Sequence, residues 1–468
     1  MVCSCSPVLF GFSLAFTSPT QRAIVGNARG TDAHVNTPFD LTIFTQRQFP
    51  RYATHLTIGA AFGAFLGNSL SNRCGRKKAL AVTAFVHIIS WAMISLVRAF
   101  MSMVIWRLVA GIAVGMGSFV APCYIREVVP PHLKRPLASL DQLSIVFGAL
   151  LANVFGSFVF VEEYDGHMFC DWRSLSRLGV LLSVLLLWIV CMPESPRWLA
   201  SKGQLRAARF ALRRLRTGSD GLMEEESELT ALAEMAVAGT SDQASVGNNR
   251  RRLREFRGPF GLTLGLVALQ QLSGISAVLM YATEICSRMG LREAELGATS
   301  LMAAQLLFTG AAGHIADLVS RRSLLQLASA AAFVGHLGIS YHYLAREQHL
   351  WAPEWLAPAS LLVYILASAT GLGPLPWLML AESLPEDVMG RANATAAAVG
   401  WSCAFLVCGY FWDVQEALSP PGVFLLFAFV CFCCFLYVTL LVPESRGKAR
   451  EPLVAGGGGA RAGAGGAA

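Results

Sequence analysis

Twelve stretches of the chain contain no Asp, Glu, Lys or Arg: 1–21, 52–72, 79–97, 108–125, 142–161, 178–193, 258–283, 296–316, 323–345, 355–381, 392–412 and 417–443. The charged residues crowd into the links between them. A helix needs roughly 20 residues to cross about 30 Å of hydrocarbon, and most of the stretches reach that length. Runs such as Leu181 to Val190 do not alternate apolar and polar residues. That excludes the strands of a closed barrel, the other structure that satisfies its own backbone in lipid. The pattern predicts an all-α membrane protein of about twelve transmembrane helices. The first stretch is less regular, with Ser4, Ser6, Ser13 and Thr17 among its apolar residues, and it lacks the basic n-region of a signal peptide. It reads as a first span with almost no tail before it, as an N-terminally short gene model would give.

Composition removes a water-soluble reading. Of 468 residues, 54% are apolar and 14% charged, and mean hydropathy is +0.52. A soluble domain carries about 25% charged residues, so lipid must cover what charge cannot. The net charge of +7 is not a nucleic-acid footprint. If the links alternate sides, those at 72–78, 126–136, 193–257, 317–322, 382–391 and 443–468 share one face and hold 26 of the 37 Lys and Arg. The positive-inside rule makes that face, and both termini, cytosolic. The resident membrane, plasma or internal (vacuolar or endolysosomal), is left open. The twelve Cys form no metal framework, and those at 431, 433 and 434 read as small hydrophobes in an apolar run. Cys170 and Cys286 fall in outer links, where a disulfide is conceivable but not demanded by spacing. No phosphate-cradling loop, metal spacing or nucleophile constellation is present, so no cofactor, metal or catalytic activity is expected.

The halves repeat. Six spans precede the polar link 193–257 and six follow it. Asn72-Arg-Cys-Gly-Arg-Lys77 after span 2 is echoed by Asp317-Leu-Val-Ser-Arg-Arg322 after span 8, and Pro193-Glu-Ser-Pro-Arg197 by Pro443-Glu-Ser-Arg446 after span 12. Glu127 after span 4 is answered by Glu382 after span 10. The offsets are 245, 250 and 255 residues. This predicts an N-terminal six-helix bundle over 1–192, a linker over 193–257, a second bundle over 258–442 and a tail over 443–468 whose Gly/Ala end is disordered. Parallel halves of this kind are a transporter architecture with the substrate site between them near mid-membrane. Within the linker, Gln204 to Arg216 reads as a basic amphipathic helix suited to the inner membrane face.

Four motifs in order carry a resemblance: Pro193-Glu-Ser-Pro-Arg-Trp-Leu199, Gln270-Gln-Leu-Ser-Gly-Ile275, Gly373-Pro-Leu-Pro-Trp377 and Pro443-Glu-Ser-Arg-Gly-Lys448. With them the chain resembles the sugar porter family of the major facilitator superfamily from about residue 10 to residue 448. Gly11 to Ile24, containing Thr17-Ser-Pro-Thr-Gln21, resembles the plant early-responsive-to-dehydration-type monosaccharide carriers and the animal facilitative glucose/trehalose carriers. The resemblance implies the major facilitator fold, two pseudo-symmetric six-helix bundles, and a monosaccharide substrate carried by alternating access, with the monomer as working unit. Proton-coupled symport, a non-transporting sugar sensor, and a carrier of a polyol or other organic solute stay open as alternatives.

The residues support a sugar site independently. A sugar hydroxyl both donates and accepts, and a side-chain amide answers both needs without charge. An amide inside a membrane is costly when idle, although interhelical bonding is its other use. Gln142 at the entrance of span 5, Gln270 and Gln271 in span 7 and Gln305 in span 8 are the candidates. By resemblance Trp377 is an aromatic platform under the sugar ring, where two prolines must break the helix ladder, and Trp401 is a second. Ser276 stands where relatives usually bind sugar through an Asn, Gly400 replaces a frequent Asn, and Met280 precedes Tyr281 where many relatives have two aromatics.

The resemblance also implies that acids and bases at the cytosolic ends of the spans pair across the halves and latch the outward-open state. Arg76, Arg107, Glu127, Lys134, Glu194, Arg197, Asp317, Arg321, Glu382 and Glu444 are assigned to that set, and Met389 stands where the second half would carry a base. Proton-coupled relatives typically carry an Asp in span 1 after a Phe-Gly-Tyr segment, whereas here Phe10-Gly-Phe-Ser13 offers a hydroxyl. His55, His87, His314 and His336 read as packing or interhelical bonding residues.

Overall fold

A computed structural model describes residues 4–25, 48–97, 99–130, 134–159, 161–164, 167–216, 230, 256–384 and 386–443, with the side chains of 134–139, 162–164, 167–169, 314–318, 386 and 387 excepted. Helices stand where the charge-free stretches predict them. Span 1 runs Cys5–Ala15 and Thr17–Val25, span 2 Phe49–Cys74, span 3 Arg76–Leu96 and span 4 Phe100–Val128. Span 5 is Lys134–Val154, widened by a π turn at Phe155–Val159, and span 6 is Trp172–Leu186, tightened by a 3-10 turn at Leu187–Cys191. Asp171 opens span 6 by accepting from Arg173 N at 3.1 Å and Ser174 N at 3.2 Å, filling two of the donors a helix start leaves idle.

The second half repeats the plan. Span 7 is Arg257–Leu272 followed by Ile275–Arg288, span 8 Ala294–Leu318 and span 9 Arg321–Glu347. Span 10 is Leu356–Ala367, a π turn and Pro374–Ser383. The last helix, Glu386–Leu441, turns back at Ser419 (φ 59°) before Pro420-Pro421, and so holds spans 11 and 12. Among the described residues, nine helices are long and apolar enough to cross a membrane, this folded one counted once. A small hairpin pairs Val161–Tyr164 with His167–Cys170 in the outer link after span 5, a strand element the hydrophobic pattern does not show. Cys170 and Cys286 are free, buried thiols, the latter inside span 7 rather than in a link. The Gly/Ala tail lies outside the described residues. We call inner the face that carries Arg76 and outer the opposite one.

Backbone contact sets the shape of the first half. Span 2 presents Gly59 and Gly63 to Gly111 and Gly115 of span 4, each pair four residues apart. A Cβ on Gly59 would overlap the Leu108 carbonyl, and one on Gly111 the Leu56 carbonyl. Gly11 of span 1 and Gly148 of span 5 approach each other's helices in the same way. Lipid supplies no hydrophobic push between helices, so close backbone packing holds them. Across the halves, span 1 meets span 7, span 2 meets span 11 and span 5 meets span 8.

Gly63→Leu and Gly111→Leu should each lower the melting temperature in detergent, because overpacking a seam costs about 1–3 kcal/mol or more. Gly261→Leu, where a Cβ meets open space, is the control. Equal melting of all three would refute the seam.

Candidate functional site

The double proline does break span 10. Helix Leu356–Ala367 passes into a π turn at Ser368–Leu372, and a new helix starts at Pro374. Span 7 breaks beside it. Ser273 ends its first helix and Gly274 adopts φ +97°, a left-handed conformation that glycine enters without steric cost. Gln270 Nε2 bridges the two breaks by donating to Gly373 O at 3.1 Å. Ser276 Oγ donates to Gln271 Oε1 at 2.9 Å, so the shortened residue orients the second amide. Gln142 of span 5 reaches the same place from the other half, its Nε2 4.0 Å from where a Gly373 Cβ would stand. A Cβ on Gly400 of span 11 would lie 3.8 Å from Gln271 Cγ and 3.3 Å from Val267 Cγ1. The missing Asn is therefore a close helix approach rather than a hole.

Trp401 is buried and meets Phe10 of span 1 across the halves, ring centroids 5.1 Å apart. Trp377, half-buried one turn after Gly373, packs between the main core and a smaller cluster of Leu380, Leu384, Val388 and Met389. Met389 thus fills an apolar cluster where a base was sought. Gln305 is buried on span 8, which packs against span 5 and the π turn of span 10. Gln270 Oε1 and Gln305 Oε1 are both buried without a hydrogen-bond donor among the described residues. In a membrane such acceptors are costly unless a ligand serves them.

The halves touch on both sides of these amides. On the inner side, Ala394 of span 11 enters the cluster of Ala79, Leu80, Phe119, Val120 and Tyr124 from spans 3 and 4. On the outer side the contact is polar, and sequence reasoning did not pick it out. Tyr281 departs from helical torsions (φ −121°, ψ 20°). Next to it, Met280 O accepts from Thr17 Oγ1 at 3.0 Å and Thr283 N donates to Ser18 Oγ at 3.1 Å. Ser18 also bonds Thr283 Oγ1 at 2.9 Å and donates to Asn153 Oδ1 of span 5 at 3.2 Å. Arg22 and Glu295 add a surface ion pair at 2.6 Å. Asn153 was findable by the rule used for the glutamines, since it too is an amide inside a charge-free stretch.

The inner charges pair within each half. Arg76, at the start of span 3, donates through Nε to Glu127 Oε2 and through Nη2 to Oε1, both at 3.0 Å, at the end of span 4. Ser195 Oγ donates to Glu127 Oε2 at 2.5 Å. Glu194 Oε1 accepts from the backbone of Arg76 at 2.9 Å and Lys77 at 3.0 Å, a carboxylate at the positive end of span 3. Burial holds the Arg197 guanidinium below its ordinary pKa, and the nearby Glu127 carboxylate opposes that. In the second half Arg321 pairs with Glu382, repeating Arg76–Glu127. Neither pair bridges the halves, because each joins neighbouring spans of one bundle. The side chains of Lys134 and Asp317, and Glu444, lie outside the described residues.

Arg107 does not belong to this inner set. Span 4 runs from the outer to the inner face, and twenty residues of helix put Arg107 about 30 Å from Glu127. It is fully buried, donates from Nη2 to Ser13 O at 2.7 Å, and lies 5.5 Å and 5.4 Å from the Phe16 and Tyr52 ring centres. Charge position alone could not say which end of the span it served.

A family model described as "Sugar (and other) transporter" matches residues 1–453. The mouse "Solute carrier family 2, facilitated glucose transporter member 8" is 31% identical over 96% of this chain and 91% of its own length. "Sugar transporter ERD6-like 6" of Arabidopsis thaliana is 29% identical over 97% and 88%. The solved structure of XylE, a major facilitator superfamily proton:xylose symporter bound to 6-bromo-6-deoxy-D-glucose, superposes with a TM-score of 0.76 at 24% identity over 96% of each chain. The chain has the major facilitator fold.

The outer layer generates a conformational test. Each hydrogen bond lost costs about 1 kcal/mol, which moves a two-state equilibrium about fivefold. Thr17→Val with Ser18→Ala should raise labelling of single cysteines on the outward-facing cavity wall at least fivefold. Labelling equal to the parent would show that these bonds do not hold the outer side closed.

Proposed function

The chain belongs to the sugar and other transporter family, and on that premise we propose that it carries a hexose-like monosaccharide across the membrane by alternating access, as a uniporter. The observation that carries this is the buried, unserved acceptor Gln270 Oε1 beside Gln142, Gln271 and Ser276 at the breaks in spans 7 and 10, with a second such acceptor, Gln305 Oε1, on span 8. Sugar hydroxyls donate to those acceptors, and the free amide N–H groups donate back. Trp377 and Trp401 supply apolar ring faces for the sugar's C–H face. The substrate crosses unchanged, so the site needs neither nucleophile nor metal. The carrier works as a monomer, with both termini in the cytosol.

Transport follows from the two contact layers around the amides. Rocking of the halves opens one layer while the other holds. Glu127 and Glu382 brace the inner ends of their own halves, so that spans 3 and 4, and spans 9 and 10, move as units. Uniport follows from position 13. Arg107 bonds the Ser13 carbonyl, and span 1, Cys5–Ala15 with Thr17–Val25, holds no carboxylate. A guanidinium stays protonated at physiological pH. No group at this position changes charge during the cycle.

Gln271→Ala should weaken sugar affinity roughly 5- to 30-fold with folding retained, the cost of one hydrogen bond plus an unpaired partner. Glu127→Gln and Glu382→Gln should leave affinity within about twofold and should not shift cysteine labelling toward either face, because each pair closes within one bundle. Unchanged affinity in Gln142→Ala, Gln270→Ala and Gln271→Ala alike would sink the site. The coupling test is a proteoliposome with its lumen alkaline and equal sugar on both sides. A uniporter leaves the sugar level, whereas accumulation abolished by a protonophore would make the protein a symporter.

A further inference from the structure

Span 7 ends its first helix at Ser273 and bends at Gly274, so the last backbone carbonyls before the bend need donors from beyond the helix. Gln270 O accepts from Ser273 Oγ at 2.7 Å and Gln271 O from Gly274 N at 3.3 Å. Ser273 O is served from two other spans. Tyr364 OH of span 10 and His336 Nε2 of span 9 both donate to it at 3.1 Å. A carbonyl oxygen only accepts, so the imidazole carries its proton on Nε2. Nδ1 is buried without a hydrogen-bond partner among the described residues, which leaves the bond to Ser273 O as the ring's one polar contact there.

Four spans meet at this bend. A Cβ on Gly335 would stand 2.8 Å from Ser360 O and 3.1 Å from Tyr364 N, so span 9 lies directly on the backbone of span 10. That contact brings the ring centres of His336 and Tyr364 to 4.1 Å. From span 12, Phe424 and Phe427 stand 6.1 Å and 5.6 Å from the imidazole. Phe427 Cδ2 also lies 2.9 Å from where a Gly274 Cβ would be, so the same ring presses on the bend itself. The imidazole is fully buried. A side chain locked by packing gives its donor a fixed direction, and here that direction is Ser273 O.

The bend in turn sets the substrate amides. Gln271 lies just before it and Ser276 just after, so the bond from Ser276 Oγ to Gln271 Oε1 at 2.9 Å spans the turn. Gln270 Nε2 reaches Gly373 O at 3.1 Å from the same end of the helix. Both contacts depend on the angle between the two arms of span 7. We propose that His336 is a positioning residue of the sugar site: it holds Ser273 O, fixes that angle, and so orients Gln271 without touching the substrate. Binding groups have to stay within about 0.5 Å of their working geometry. A buried carbonyl that loses a donor swings to find another, and the amides beside it swing too. The inference rests on the sugar reading of those amides and adds a residue from behind them.

The test reads half-saturating concentration and maximal rate in proteoliposomes, alongside melting in detergent. Its probe is whichever of D-glucose, D-galactose and D-fructose the parent carries fastest. His336→Leu keeps an apolar side chain of similar size and removes the donor. It should raise the half-saturating concentration about fivefold, the loss of one hydrogen bond. The maximal rate per folded carrier should stay within about twofold, since binding rather than turnover is touched. His336→Gln, whose amide nitrogen replaces the donor, should return affinity to within about twofold of the parent. Because the effect passes through Gln271, adding His336→Leu to Gln271→Ala should cost less than about twofold more. Tyr364→Phe removes one hydroxyl from the same carbonyl, should weaken affinity in the same direction, and decides the matter where His336→Leu does not fold. Parent affinity in the folded variants, with melting alone lowered, overturns the proposal and leaves the sugar site standing. An undiminished fivefold loss in the Gln271→Ala background does the same. Parent affinity in Gln271→Ala itself, or a parent that carries none of the three sugars, sinks the sugar reading and this proposal with it.

Discussion

A backbone carbonyl or amide in hydrocarbon has no water to fall back on, so any break in a spanning helix must be served by another part of the protein. Span 7 breaks twice, and its two breaks are served differently. At the first, Ser273 O accepts from Tyr364 OH and His336 Nε2, both at 3.1 Å, from spans 10 and 9 of the same half. At the second, Met280 O and Thr283 N take Thr17 and Ser18 from the opposite half. The first arrangement survives any rocking of the halves. The second would be lost if the outer sides of the halves parted. One helix thus carries one bend served from within its own half and one served from the opposite half.

The same constraint explains the amides. Gln270 both ties the span 7 break to the span 10 break and keeps an acceptor spare. A residue that only braced the fold would use its whole hydrogen-bonding capacity internally. Interhelical bonding occupies one end of this side chain, and the other end is the acceptor we propose for the sugar.

Much of this was legible in sequence, and the remainder was hidden for identifiable reasons. Charge-free length marked the spans, and the nearly constant offset marked the repeat, because both are one-dimensional properties. The prolines at 374 and 376 foretold the break beside Trp377. Pattern could not tell which end of span 4 Arg107 serves, since a charge inside a span reads alike from either side. It could not show that Arg76–Glu127 and Arg321–Glu382 close within their own bundles, which depends on neighbouring spans lying side by side. Thr17 and Ser18 lay within a quoted motif, but a hydroxyl that caps a distant backbone leaves no periodic trace. Met389 and Gly400 looked like lost contacts until packing gave each a neighbour.

The turn at Ser419 bears on how the chain is made. A single residue off helical torsions, followed by Pro420-Pro421, separates spans 11 and 12 within a 56-residue helical run. Between the charge-free stretches only Asp413, Val414, Gln415 and Glu416 have to be moved to the far side. Neither arm has a loop long enough to let it wait for the other in the membrane. Spans joined this tightly favour entry as one helical hairpin, so the 56 residues from Glu386 to Leu441 form a single unit of insertion.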